Sequence, residues 1–456
     1  MDIKKIYDSY KDLLDNDIEV YGWIRKHRKQ KEIGFIDLFD GTCFKTLQVV
    51  YDKSIKTFAD ILKIHCGASI KVRGKLALSP ANGQVFELNA KEITLIGDCP
   101  DDYPIQSKEH SREFLREQAY LRPRAPLFQA VFRVRSVLSL AIHEYFQSHG
   151  YLYLHAPIIT ASDCEGAGEM FQVTTQCLDE IAKNGSVKYE EDFFGKKAGL
   201  TVSTQFEAET FAQAFKKIYT FGPTFRADKS HTPYHVAEFW QVEPEVAFCD
   251  LEGIMNIAED LVKFVIKFVL VQAKDEMDYL DMEIENGLIE RLKKILSCEF
   301  KRVTYRECIE ILRRSDREFV FKPEYGSDIA KEHEKYLADY FKCPFFLTMW
   351  PKKLKPFYMK QVDDEIVAGA DLEMPGVGEV FGMSQREDDL DKLLSRMKEK
   401  NMKIEDYEWY LKLRKYGTCE RSGFGIGFER LLMFITGMDN IKDVIPYPRV
   451  HKGCEF

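Results

Sequence analysis

Near its C-terminus the chain reads Ser422-Gly-Phe-Gly-Ile-Gly-Phe-Glu-Arg430 and then enters an apolar stretch, 431–436, with helical spacing. Glycine weakens a strand, so three of them at period two demand a reason. Alternation puts Gly423, Gly425 and Gly427 on one face, leaving flat space against the backbone. Arg430 then falls at the start of the following helix, near the positive end of its dipole, where phosphate is favoured. On its own the pattern also suits close packing. It is neither a GxGxxG nor a GxxxxGK[ST] loop, and neither of those occurs anywhere in the 456 residues.

A second stretch carries the companion signal. Residues 218–226 and 237–248 have the alternation of two antiparallel strands, joined by a loop rich in charge. On the second strand Phe239, Gln241, Glu243 and Glu245 share one face, while Trp240 and Val242 share the other. A polar face beside Arg226 suits a ligand floor, and it suits a solvent-facing strand equally well. The glycine strand with its Glu-Arg helix start, taken with Phe225-Arg226, favours the ligand floor.

The first hundred residues contain short β-branched and aromatic runs at 19–24, 34–38, 46–51 and 69–74, with Asp40-Gly41 as a hairpin signal and one helical stretch at 54–65. Such a pattern predicts a small closed barrel, the OB-fold foremost. A polar, proline-bearing hinge follows at 101–122. From 123 onward, helices at 127–148, 251–277, 328–341 and 386–414 alternate irregularly with strands. Residues 1–100, 101–122 and 123–456 are thus expected to be barrel, hinge and a catalytic domain of α+β class, an antiparallel sheet flanked by helices. The helix at 127–148 shows Val131, Val134, Leu138 and Ile142 at helical spacing.

Bulk properties narrow the function less. A net charge of −9 argues against broad polyanion binding, although Arg25 to Lys31 and Lys352 to Lys355 form local basic runs of the kind that usually face solvent. None of the eleven cysteines forms a CxxC pair, which speaks against a zinc or redox site. The opening residues lack an apolar signal core and an arginine-rich leader, so a cytoplasmic protein with no membrane segment is expected.

These motifs identify the sequence as resembling the class II aminoacyl-tRNA synthetases of the aspartate, asparagine and lysine subgroup. The segment around Pro157 (His155-Ala-Pro-Ile-Ile-Thr160) resembles the first class motif, Phe225-Arg226 onward the second, and Gly423 to Arg430 the third. The barrel ahead of the catalytic domain extends the likeness over the whole chain. The resemblance implies that Arg226 grips the ATP α-phosphate and the amino acid carboxylate, and that His235 meets the γ-phosphate. Phe239 would stack on adenine, with Arg430 over its other face. Asp228 stands where the class commonly has glutamate beside adenine, and its arm is shorter. Asp371 and Glu379 would hold Mg²⁺ on the phosphates.

For the amino acid, the resemblance implies that Glu165 binds the α-ammonium with Gln205 alongside, and that Arg386 takes the side-chain oxygen. Aspartyl enzymes have a lysine where this chain has Ala208, and an aspartate where it has Glu243. A cation is thus missing and a longer acceptor is present, which suits the amide of asparagine. The expected activity is ligation of L-asparagine to its tRNA through an asparaginyl-adenylate, releasing AMP and pyrophosphate, in a homodimer joined through the helix before Pro157. The barrel would read the tRNA anticodon through Phe35, Gln48 and Arg25, though Phe35 suits a barrel core equally well.

Overall fold

The structure is a computed structural model and describes residues 1–80, 83–164, 170–230 and 232–456. Two compact units divide the chain, Met1–Val131 and Phe132–Phe456.

In the first unit five strands close a barrel: β1 (Asp17–Lys29), β2 (Ile33–Phe39), β3 (Leu47–Asp52), β4 (Ser69–Leu78) and β5 (Phe86–Gly97), in the order β1-β2-β3-β5-β4. Alternation decides which side chains go inside. Ile18, Val20 and Ile24 of β1 meet Ile36 and Leu38 of β2 and Val49 of β3, all buried. Each such side chain contributes about 1.5–3 kcal/mol when taken out of water.

Two local expectations fail here. Helix Ile3–Leu13, which the sequence reading did not anticipate, buries Ile3 and Ile6 and sets Tyr7 and Tyr10 against Phe86 at centroid distances of 4.8 and 5.2 Å. The helix expected at 54–65 shrinks to Phe58–Ile61. Ile55, Phe58, Ile61 and Ile64 are buried at a spacing of three, and the backbone follows with bonds from Phe58 N to Ile55 O and from Ile64 N to Ile61 O. Tight turns therefore flank a single α-helical turn, whose bonds run from Ile61 N to Thr57 O and from Leu62 N to Phe58 O.

The second unit contains β6 (Leu152–Tyr153), β7 (Ile159–Thr160), β8 (Gln172–Val173), β9 (Ala198–Leu200), β10 (Lys217–Phe225) and β11 (Glu238–Ala247). It continues with β12 (Lys301–Thr304), β13 (Phe345–Pro351), β14 (Ile366–Met374), β15 (Gly378–Gln385) and β16 (Arg421–Gly427). The main sheet runs β12-β13-β14-β15-β16-β11-β10-β6. Its inner pairs are antiparallel, as expected, and the outermost pairs, β12 with β13 and β10 with β6, are parallel. β7, β9 and β8 make a separate small sheet.

Helix Leu251–Gln272 packs on β14, β15 and β16 through Ile254, Leu261, Val265 and Val269, and Asp250 caps it by accepting from Gly253 N at 2.8 Å. The expected helix 251–277 is broken at Ala273, where ψ reaches 39°, and a second helix resumes at Lys274–Glu283. The stretch 386–414 also differs. Asp389 caps Leu390–Glu399 by accepting from Asp391 N and Lys392 N, so Arg386 precedes the helix and extends β15 instead. No helix among the described residues is long and apolar enough to cross a membrane.

Candidate active site

β11 lies beside β10 on one side and β16 on the other, and its polar face forms the floor of a cavity of about 430 Å³. Phe239, Gln241, Glu243 and Glu245 all line it, so the face read from sequence is the floor of a cavity and not an open solvent face. Arg226, Asp228 and His235 join them from the end of β10 and the loop, with Asp371 and Glu379 from β14 and β15 of the same sheet, beyond β16.

At one end the geometry suits a nucleotide. The Arg226 guanidinium stands 5.4 Å from the Phe239 ring centroid. Arg430, in helix Phe428–Thr436, donates to the Glu379 carbonyl at 2.9 Å. A Cβ on Gly427 would sit 3.8 Å from the Arg430 side chain, an ordinary contact, so the arm runs beside the strand at this position. Burial first, then the Arg430 guanidinium, lower the His235 imidazole, and Lys331 and Arg226 add to the effect. This cationic surrounding favours a polyanion. Asp228 accepts from Ser230 N at 2.9 Å, which folds its short arm back onto its own loop.

Asp371 is buried and paired with Lys355, whose ammonium also lies 4.0 Å from the Trp350 ring. Lys355 thus corrects the reading of Lys352 to Lys355 as a solvated run. Burial raises the Asp371 carboxyl to about 7 against the pull of Lys355, and Glu379 adds to the rise. A Cβ on Gly382 would lie 3.5 Å from Glu379 Oε1 and 3.8 Å from Asp371 Oδ1, so both carboxylates converge over this glycine. Two hard oxygen donors of this kind fit Mg²⁺. No group of three His, Cys, Asp or Glu side chains forms an all-protein metal cage among the described residues.

The other end is built from interlocked charges. Glu243 accepts from Ser203 Oγ, from Thr204 N at 2.9 Å and from Thr204 Oγ1 at 2.5 Å. Arg386 does not stand alone: it pairs with Glu245 through both nitrogens of its fork and donates to Ser384 Oγ at 2.7 Å. A Cβ on Gly423 would fall 2.1 Å from Glu245 Oε1, so that glycine is the seat of the carboxylate. Gln205 donates to Glu209 at 3.1 Å, and Glu209 also receives Arg414 at 3.1 Å, Arg421 at 2.9 Å and Tyr410 Oη at 2.7 Å. Burial opposes the Glu209 charge, yet Arg414 and Arg421 outweigh it and hold the carboxyl at about 2. Ala208 is fully buried in helix Gln205–Phe215. Glu165, expected at the α-ammonium, lies outside the described residues.

Sequence reasoning left Glu209, Lys355, Arg414 and Arg421 without a role. It also missed Glu429, buried at the start of its helix, which accepts from Arg135 at 2.8 Å and from Trp240 N at 3.0 Å. Only Glu429 had a local signal, its place beside Arg430.

On the barrel, Phe35 is half-buried on the outer face, opposite to its buried neighbour Ile36. Arg28 stands 5.1 Å from the Phe35 ring and donates to Gln48 at 2.8 Å. Arg25 does not join this cluster. A register shift in β1 between Ile24 and Lys26 turns it toward the Phe39 ring, at 4.4 Å, and Gln129. Arg28 is therefore the arginine beside Phe35 and Gln48.

A β-barrel unit and an antiparallel sheet carrying this arginine-lined, two-ended cavity define a class. The chain belongs to the class II tRNA synthetases (D, K and N), whose family model matches residues 111–451, while residues 18–96 match the OB-fold nucleic acid binding domain. Within that class it falls among the asparagine–tRNA ligases. It is 50% identical over 460 residues to the asparagine–tRNA ligase of Clostridium botulinum, covering 100% of this chain and 99% of that one. The corresponding protein of Acholeplasma laidlawii is 50% identical over 459 residues, with the same coverage. Among solved structures, asparaginyl-tRNA synthetase from Pyrococcus horikoshii complexed with asparaginyl-adenylate superposes with a TM-score of 0.86 at 30% identity, covering 97% of both chains.

Proposed function

We propose that the chain ligates L-asparagine to its tRNA in two steps at this cavity. The asparagine carboxylate attacks the α-phosphorus of ATP and expels pyrophosphate. The 3′-hydroxyl of the terminal tRNA adenosine then attacks the activated carbonyl, and AMP leaves. No side-chain nucleophile is needed, so catalysis is positioning and charge stabilisation.

Arg226 holds the α-phosphate and carboxylate, Phe239 and Arg430 sandwich adenine with Asp228 at its edge, and His235 meets the terminal phosphate. Gln205 and Glu165 orient the α-ammonium. Arg386 and Glu243 address the side-chain oxygen and amide NH₂. Glu379, with Asp371, would hold Mg²⁺, which supplies positive charge to the phosphates. The barrel, 1–100, takes the anticodon with Phe35, Gln48 and Arg28. The region 123–456 does the chemistry after the hinge at 101–122. The working form is a cytoplasmic homodimer joined through the helix before Pro157.

The observation that carries this reading is the placement of Glu243 and the Arg386–Glu245 pair at the end of the cavity away from Arg430. Pyrophosphate exchange into ATP, run with asparagine and aspartate separately, tests it. Exchange with asparagine alone is expected. Exchange with aspartate would overturn the specificity, and exchange with neither by folded protein would overturn the activity.

A further inference from the structure

Three carboxylates and three guanidiniums interlock behind the amino-acid end of the cavity: Glu209, Glu243 and Glu245 with Arg386, Arg414 and Arg421. Every one is at most 5% exposed. They form one connected set. Gln205 joins Glu243 to Glu209, its backbone N–H donating to Ser203 Oγ at 3.2 Å and its amide to Glu209. Arg386 N donates to the Arg421 carbonyl at 2.8 Å, tying the Glu245 pair to the Glu209 pair. With all six ionised the set sums to zero.

We infer that Glu209, which lies behind the residues that line the cavity, is a specificity-determining residue: it cancels the cation that bound aspartate would otherwise use. A neutral amide needs only local donors and acceptors, whereas a carboxylate brought into a dry, balanced cluster finds no surplus positive charge. Coulomb interactions inside a protein reach well beyond contact distance, so a charge behind Gln205 acts on the substrate side chain. Burial raises the Glu245 carboxyl to about 7, Arg386 and Arg421 pull it down, and Glu209 pushes it up, so a charge at Glu209 is felt at the Arg386 pair. Glu209 removes the effect of a cation from behind the pocket.

The inference rests on the functional reading above and is tested with the full chain by pyrophosphate exchange. Glu209→Gln leaves the cluster one charge positive. The ratio of kcat/KM for asparagine over aspartate is expected to fall at least about tenfold, through a gain with aspartate. The double variant Glu209→Gln, Arg421→Met restores neutrality and is expected to return the ratio toward the wild-type value, a coupling that plain damage does not produce. Parallel losses with both substrates, the ratio staying within about twofold in both variants, would overturn the inference. If Glu209→Gln does not fold, Arg421→Met alone decides the matter. With one charge negative, it is expected to raise the Ki of aspartate as an inhibitor at least about tenfold more than the KM of asparagine. Equal changes would overturn the inference. Wild-type protein inactive with asparagine would instead sink the functional reading.

Discussion

Two buried carboxyls at opposite ends of the cavity, Glu209 and Asp371, are shifted in opposite directions. At the amino-acid end Glu209 has two guanidiniums, and its carboxyl is held at about 2. At the phosphate end Asp371 has one ammonium and a like-charged neighbour, and its carboxyl rises to about 7. At the first end the pairing of Glu209 is in place before anything binds, while burial raises the neighbouring Glu245 carboxyl to about 7 against the pull of Arg386. The second holds negative charge that a divalent cation would relieve. A site that must choose between two nearly isosteric amino acids gains from fixed charge, because any reorganisation would blur the choice. A site that must accept a metal with a triphosphate gains from unspent charge.

Removing a guanidinium at the amino-acid end should have the largest effect. Arg386→Ala leaves Glu245 buried without its partner. A loss of about 3–5 kcal/mol in unfolding free energy is expected from urea titration, with asparagine-dependent exchange reduced beyond about a thousandfold. The same small substitution at each end then sharpens the contrast. Gly423→Ala drives a Cβ into Glu245 Oε1 at 2.1 Å and is expected to cost about 1–3 kcal/mol and most of the asparagine affinity.

Acid titration gives the next largest signal. The Glu209 carboxyl, lowered in the folded state from its ordinary 4.5, contributes stability that is present above that pH and is lost as pH falls toward about 2. Denaturant midpoints across this window should drop more steeply for the wild type than for the Glu209→Gln, Arg421→Met pair. Gly382→Ala is the smallest change. Its Cβ makes ordinary contacts of 3.5 and 3.8 Å with Glu379 and Asp371, so stability should shift by less than about 0.5 kcal/mol. A larger shift would show that the phosphate end is as tightly filled as the other.

The floor of the site was legible because β11 alternates, and alternation fixes a face whatever packs behind it. Phe239, Gln241, Glu243 and Glu245 could be assigned together for that reason. Arg386 was placed correctly at the cavity but not with its partner, since pairing with Glu245 spans 141 residues of chain. Glu209 was opaque for the same reason: Tyr410, Arg414 and Arg421 reach it from 201 to 212 residues away. Arg25 failed differently. A single register shift in β1 exchanges the side on which a residue emerges, and nothing in the basic run Arg25-Lys-His-Arg-Lys29 marks where it falls. The helix Ile3–Leu13 was legible but overlooked: Ile3, Ile6, Tyr7, Tyr10 and Leu13 recur at helical spacing, and all pack against the barrel core.

The seat that Gly423 gives Glu245 bears on how such a protein can change over generations. The space under that carboxylate exists only while the glycine does, and the carboxylate is tolerable only while Arg386 faces it. Each member is conditional on the others, so a lineage drifting toward a different amino acid has few viable single steps across this wall. Compensated pairs of substitutions are the open route, and the intermediate on that route carries an unmatched charge in a place water does not reach.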